Sequence, residues 1–142
     1  MDLGLFVYAL NLASIYALMA IGVSILWSSV GLLNMAHGAT FAVSGYGAWL
    51  VTGFMKPIII ASFGKTALAS FIMASTLVGS ALISGAIFGA IIYLLAFLPI
   101  HDKPNYAVRG LIITLAINIA SVQSLLYLFG PRNRGLPKIF GF

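Results

Sequence analysis

The feature that most constrains this chain is a run of 53 residues without a formal charge, which lies between Asp2 and Lys56. Two further uncharged stretches follow, at residues 66–100 and 110–131. A helix of about 20 apolar residues crosses the hydrocarbon core of a bilayer, so each stretch is long enough to span one. Hydrophobic residues make up 62% of the 142 positions and charged residues 6%, a composition that excludes a water-soluble globular domain. The sequence therefore predicts a protein surrounded by lipid.

The predicted fold class is all-α, a polytopic transmembrane helical bundle with about four spanning helices. A segment in lipid must satisfy its own backbone hydrogen bonds, and the alternating pattern of a transmembrane β-strand is missing here. Lys56 and Pro57 are expected to end the second helix, since proline cannot donate a backbone hydrogen bond. The third span is so long that it must tilt, kink or protrude. The expected spans are residues 3–27, 41–55, 66–98 and 109–129, within a single transmembrane domain at 1–142.

Residues 28–40, SSVGLLNMAHGAT, form the one irregular motif and are expected to break the helices. The motif is either a tight connection near the membrane interface or a break at membrane depth. A break at depth persists only where it faces protein or a water-filled cavity, and such breaks often mark a transporter's pathway. For His37, a capping or packing role is favoured over a role as a ligand.

Several other positions suggest helix contacts rather than chemistry. Ala81, Gly85 and Gly89 recur every four residues, a small-residue row that predicts close helix packing in lipid. Asn118 and Gln123 lie within the fourth span and are expected to hydrogen-bond a neighbouring helix, or otherwise to line a polar path. Residues 99–108 form the most polar segment and are predicted to be an extramembrane loop.

The sequence does not predict an enzyme. It contains two acidic residues, two histidines and no cysteine, so no catalytic residue and no metal site is expected. The basic residues are scattered at the edges of the spans, which is typical of topology anchors and not of a nucleic-acid interface. A small multidrug-type carrier would need a carboxylate within a span, and the predicted spans contain none.

The motif resembles the signature of LivH-type permeases of branched-chain amino acid ABC importers. The resemblance rests on Gly31-Leu-Leu-Asn34-Met-Ala-His37-Gly38, on Gly45-Tyr46-Gly47-Ala-Trp49 and, more weakly, on residues 16–22, 109–114 and 129–132. It implies a multi-pass permease of the cytoplasmic (inner) membrane that translocates branched-chain or related amino acids. Asn34, His37 and Gly38 would then lie near the translocation path.

The resemblance also implies partners. These are a second permease subunit, ATP-binding cassette subunits and a periplasmic or tethered substrate-binding protein, all acting at the lipid bilayer. The chain itself would need no cofactor, because ATP would bind to the partner subunits.

Two departures from the family pattern leave alternatives open. Ala39 stands where family members often carry an acidic residue, so a urea or amide substrate remains an alternative to a branched-chain amino acid. The family's chains are also longer, and the loop that docks on the ATPase belongs to their later part, so this chain corresponds to the N-terminal part of a permease domain. A non-catalytic membrane scaffold or partner subunit, or a truncated permease without transport of its own, is the alternative function.

Orientation in the membrane is also left open by the sequence. The distribution of basic residues favours a cytoplasmic N-terminus, whereas the resemblance implies that the loop at residues 99–108 is cytoplasmic. The basic residues that favour a cytoplasmic N-terminus include Arg134 and Lys138 in the basic tail.

Overall fold

The computed structural model describes residues 3–132 and 135, and over these residues it contains helices and no strands. The four long helices are α1 (Leu3–Val30), α2 (His37–Phe63), α3 (Ala67–Ile92) and α4 (Tyr106–Phe129). All four are long and apolar enough to cross a membrane. The predicted fold class is confirmed. Arg134 and Lys138, which the sequence assigns to a basic tail, lie outside the described residues.

The predicted boundaries of the second span, residues 41–55, are wrong at both ends. Helix α2 begins at His37 and continues through Pro57 to Phe63. Pro57 has no N–H to donate, which removes one hydrogen bond, whereas ending the helix there would leave several carbonyls without partners. Transmembrane helices tolerate an internal proline because neighbouring groups can bind the carbonyl that it leaves free. The helix ends at Gly64, which has a φ of 63° and whose N–H donates to the Ile60 carbonyl at 2.9 Å.

The third span changes helix type near its end. After Ile92 the chain forms a π-helical turn at Tyr93–Phe97, hereafter the π turn, and then a 3-10 turn at Leu98–Ile100. The Leu98 N–H donates to the carbonyl of Tyr93, five residues earlier, which is the hydrogen bond that defines a π turn. The non-helical connection to α4 is therefore residues 101–105, shorter than the predicted loop at 99–108.

Helices α2 and α3 pack closely through two serine and glycine pairs. Gly47 on α2 faces Ser84 on α3, and Gly85 on α3 faces Ser44 on α2, where a Cβ added to Gly85 would lie 2.5 Å from the serine oxygen. Each hydroxyl donates to the carbonyl four residues earlier in its own helix, at 2.8 Å for Ser44 and 2.7 Å for Ser84. The hydroxyls are thus satisfied locally, and the missing side chains of the glycines allow the close approach.

The structure divides the predicted small-residue row on α3. Gly85 lies in the contact with α2, and Ala81 is half-buried. A Cβ added to Gly89 would have no atom within 4 Å, so this glycine does not face a packed helix. The row as a single packing surface stays a prediction.

Helices α1 and α4 are not held by serine and glycine pairs. Helix α4 contacts the other helices through aromatic rings. The Phe129 ring at the end of α4 stacks on Tyr46 of α2 with a centroid separation of 4.4 Å. Near the start of α4, a Cβ added to Gly110 would lie 3.3 Å from the Phe97 ring. None of the described residues of α1 is buried, and its half-buried residues fall along one side of the helix, at Ile15, Met19, Gly22, Val23 and Leu26.

The α2–α3 contact predicts a position-specific response to valine. Gly47→Val should lower the free energy of unfolding by about 1–3 kcal/mol, because the new side chain overlaps Ser84. Adding Ser84→Gly should recover most of this loss. Gly45→Val is the matched control, since a Cβ at Gly45 would have nothing within 4 Å. Thermal unfolding in detergent measures all three, and equal melting temperatures for the variants at 45 and 47 would contradict the packing.

Candidate functional site

The irregular motif breaks the helices as predicted, and the structure narrows the break from residues 28–40 to residues 31–36. Helix α1 ends at Gly31, which has a φ of 66° and whose N–H donates to the Trp27 carbonyl at 2.9 Å. Glycine adopts this left-handed conformation without a steric penalty. The chain then runs without helical structure before His37 begins α2.

Side chains accept hydrogen bonds from three backbone N–H groups of the break and of the first turn of α2. The Asn34 Oδ1 accepts a hydrogen bond from the Ala36 N–H at 2.9 Å. Two bonds come from α4, where Thr114 Oγ1 accepts from the Met35 N–H and Asn118 Oδ1 accepts from the Ala39 N–H, each at 3.1 Å. Without these acceptors the N–H groups would be unpaired in an apolar medium, at a cost of about 1–3 kcal/mol each.

The register of α4 favours a break at membrane depth. Asn118 follows Arg109, the charged residue in the first turn of α4, by nine residues. At a helical rise of 1.5 Å per residue this is about 14 Å, close to half the thickness of the hydrocarbon core. With Arg109 at the membrane boundary, the Ala39 N–H that Asn118 binds would lie well inside the membrane, and the choice between a break at depth and a connection at the interface stays a prediction.

His37 packs against α1. Its imidazole is half-buried and lies beside Gly22, where an added Cβ would be 3.0 Å from Nε2. The side-chain acceptors of the α2 N-terminus come from Asn34 and Asn118 and not from the imidazole. This geometry agrees with the packing role favoured for His37. Gly38 is exposed, and a Cβ there would make an ordinary contact with Asn118 Oδ1 at 3.7 Å.

A cavity of about 280 Å³ adjoins the break. The end of α1, the break, the last part of α3 with the π turn and the start of α4 all contribute to its wall. The lining residues are Leu26, Leu32, Asn34, Gly89, Ile92, Tyr93, Phe97 and Tyr106. Of the three predicted path residues, only Asn34 lines this cavity, while His37 and Gly38 lie on the first turn of α2. The cavity is mainly apolar, with one amide and two phenols.

Sequence reasoning found part of this site. The predicted helix-to-helix bond of Asn118 is confirmed, since its partner is on α2, whereas Gln123 is exposed. Thr114 was missed, although it is fully buried and binds the break. The signal was available, because Gly110, Thr114 and Asn118 recur every four residues and so share one side of α4. The tyrosines and Phe97 in the cavity wall carried no comparable signal.

The described residues contain no group of three His, Cys, Asp or Glu side chains that could hold a metal ion. His101 and Asp102 are exposed in the loop before α4. The chemistry that this site offers is hydrogen bonding and apolar contact.

Comparison with known proteins adds a family to this geometry. The sequence profile described as the permease component of branched-chain amino acid transport systems matches residues 5–135. The chain is 25% identical over 130 residues to the high-affinity branched-chain amino acid transport system permease protein LivH of Salmonella typhimurium, and 26% identical to that of Escherichia coli K12. Each match covers 92% of this chain and 39% of the relative. No solved structure matches the chain at a significant level.

The hydrogen bond from α4 to α2 predicts that Asn118 contributes more to the stability of the fold than Gln123. Asn118→Leu should lower the free energy of unfolding by about 1–3 kcal/mol, because the Ala39 N–H loses its acceptor. Gln123→Leu on the exposed side of the same helix should change it by less than about 0.5 kcal/mol. Thermal unfolding and amide hydrogen exchange at Ala39 measure the effect. Unchanged protection of that amide in Asn118→Leu would contradict the assignment.

The contact between His37 and Gly22 predicts energetic coupling between α1 and α2. Gly22→Val should destabilise the chain because its methyl groups would overlap the imidazole. Combining it with His37→Ala should remove that overlap, giving a coupling energy of about 0.5–3 kcal/mol in a double-mutant cycle. Gly4→Val on α1, where a Cβ would have nothing within 4 Å, is the control. Simple additivity of the changes at positions 22 and 37 would show that the two residues do not touch.

Proposed function

The chain belongs to the family of permease components of branched-chain amino acid transport systems, and from this premise we propose that it forms part of the translocation pathway of an ABC importer. It is a multi-pass membrane protein, which we place in the cytoplasmic (inner) membrane. The chain spans 39% of the length of the curated relatives it matches. The proposed substrates are branched-chain amino acids or related compounds.

One observation carries this proposal, namely a break between two apolar helices that is hydrogen-bonded from α4 and has a cavity beside it. We infer from the register of α4 that this break lies at membrane depth. Non-helical backbone at this depth persists only where it faces protein or a water-filled cavity. In transporters, discontinuous helices near the middle of the bilayer form substrate sites. A helical scaffold with no transport role would need neither feature.

We assign Asn34, His37 and Gly38 to the path in different roles. Asn34 lines the cavity and also holds the break through its bond to the Ala36 N–H. His37 sets the position of α2 relative to α1 through its contact with Gly22. Gly38 leaves the first turn of α2 uncovered beside Asn118.

A neutral substrate fits the surroundings of the break. Ala39 is fully buried, and its N–H is bound by Asn118, so this position adds no charge to the path. Among the described residues no charged side chain lines the adjoining cavity, so a charged side chain on the substrate would find no opposite charge there. These observations favour a neutral amino acid with an apolar side chain over a charged one.

The energy for transport is proposed to come from partners. The partners of a permease in an ABC importer would be a second permease, ATP-binding cassette subunits that bind and hydrolyse ATP, and a periplasmic or tethered substrate-binding protein. In this arrangement the chain is not an enzyme and needs no cofactor. Alternating access would result from rocking of helix groups around the break.

Uptake of radiolabelled leucine tests the proposal, in cells that lack other leucine transporters and express this chain with its partner subunits. Asn34→Asp keeps an oxygen to accept from the Ala36 N–H but removes the amide donor and adds a charge. We expect uptake to fall about tenfold or more, the equivalent of one lost hydrogen bond to substrate. Asn105→Asp, the same change in the exposed loop, should leave uptake unchanged.

The assay needs a measure of assembly, which co-purification of the partner subunits supplies. Normal uptake and normal assembly in both Asn34→Asp and His37→Ala would refute the assignment of these residues to the path. Absence of leucine uptake by the assembled wild-type complex would refute the proposed substrate class.

A further inference from the structure

We propose that the cavity between the break and the π turn binds the aliphatic side chain of a neutral amino acid, and that Gly89 determines the largest side chain it admits. The inference deepens the proposed function and rests on it, because transport brings the amino acid to this site. It assigns a substrate contact to a glycine whose sequence pattern suggested helix packing.

The size of the cavity suits such a ligand. Its volume is about 280 Å³, whereas a dry protein cavity of about 150 Å³ accommodates a molecule as large as benzene. A branched side chain of three or four carbons together with its α-amino and α-carboxyl groups therefore fits. Leu26, Leu32 and Ile92 supply aliphatic surface to the wall, and Phe97 also lines it.

The polar groups of the wall suit the other end of an amino acid. The Oδ1 of Asn34 is engaged by the Ala36 N–H, and no described residue accepts a hydrogen bond from its amide nitrogen. That N–H group is available to a carboxylate. Tyr93 and Tyr106 also line the cavity, and a tyrosine hydroxyl can both donate and accept a hydrogen bond. Few polar groups in a mainly apolar wall are typical of small-molecule sites.

Gly89 is the glycine among the lining residues of the cavity, and a side chain added there would start without a clash. A Cβ at Gly89 would have no atom within 4 Å, whereas at Gly85, one turn earlier, it would lie 2.5 Å from Ser44 Oγ. Larger residues at position 89 should therefore take up ligand space while the α2–α3 contact stays intact. Gly85 and Gly89 lie on the same side of α3, but only Gly85 contacts α2.

The chain has no cysteine, so Gly89→Cys creates a single thiol in the cavity wall. The first test measures the rate at which a methanethiosulfonate reagent labels this thiol in membranes containing the assembled complex. Leucine at about ten times its dissociation constant should slow labelling about tenfold, in proportion to the unoccupied fraction. Lysine should not slow it. Gly79→Cys is the matched control, since it lies on α3, also has nothing within 4 Å of an added Cβ, and lines a different depression.

The second test is a size series of Gly89→Ala, Gly89→Val and Gly89→Leu, with Gly79→Leu as the control. The KM for leucine uptake should rise with each step and reach at least about tenfold in Gly89→Leu, a loss of about 1.4 kcal/mol of binding. The KM for alanine, which has a shorter side chain, should rise less. A uniform fall in uptake of both substrates, with poor assembly, would mean that Gly89 packs and does not select.

The two levels of the proposal fail in different ways. If the wild-type complex takes up leucine, but leucine leaves the labelling of the Gly89→Cys variant unchanged and the size series leaves the ratio of KM values unchanged, the cavity site is refuted and the proposed function stands. If leucine protects the thiol of that variant while the wild-type complex takes up no branched-chain amino acid, the site stands and the proposed function is refuted. If leucine does not protect the thiol and the wild-type complex takes up no branched-chain amino acid, both the cavity site and the proposed function are refuted.

Discussion

The structure depends on hydrogen bonds to the backbone of one short non-helical segment between α1 and α2. Residues 31–36 lie outside the helices, and lipid offers no water to bind the backbone groups of such a segment. Thr114 and Asn118 on α4 bind the Met35 and Ala39 N–H groups, and these two bonds fix the end of the break and the start of α2. An unpaired N–H group in hydrocarbon has a high free-energy cost, so each of these two bonds contributes more to stability than the same bond would in water. The cavity adjoins the segment that these two bonds fix.

The sequence predicted the helices from the length of its apolar stretches and the break from a cluster of polar residues. Both features follow from the need of a segment in lipid to satisfy its own backbone hydrogen bonds. Local signals failed at Pro57, since the rule that proline ends a helix comes from water, where freed carbonyls find other partners. They also could not supply the partners of the break. Thr114 and Asn118 lie 79 residues beyond Met35 and Ala39, and only the packing of α4 beside α2 brings them together. The resemblance identified the family correctly, and it drew attention to Asn34 without indicating the cavity it lines.

The glycines of α3 show why a pattern of small residues does not determine a role. Gly85 and Gly89 are one turn apart on the same side of the helix, yet the first touches Ser44 and the second faces open space. Gly89 instead lines the cavity beside the break. Ala36 in the break packs against Ile92 and Ala96, and Ile92 also lines the cavity. The break and the end of the third span therefore form the cavity wall together.

The parts of this structure are held with very different strengths. Helices α2 and α3 interlock through the Ser44 and Ser84 pairs, while α1 has no buried residue among those described and meets α2 through the imidazole of His37 beside Gly22. Leu26 near the end of α1 nevertheless forms part of the cavity wall. A displacement of α1 would thus change the cavity while breaking few contacts, whereas the opposite wall at Ile92 is anchored to the core beside Ala36. In the proposed mechanism, rocking of helix groups around the break would move the weakly held wall of the cavity relative to the fixed one.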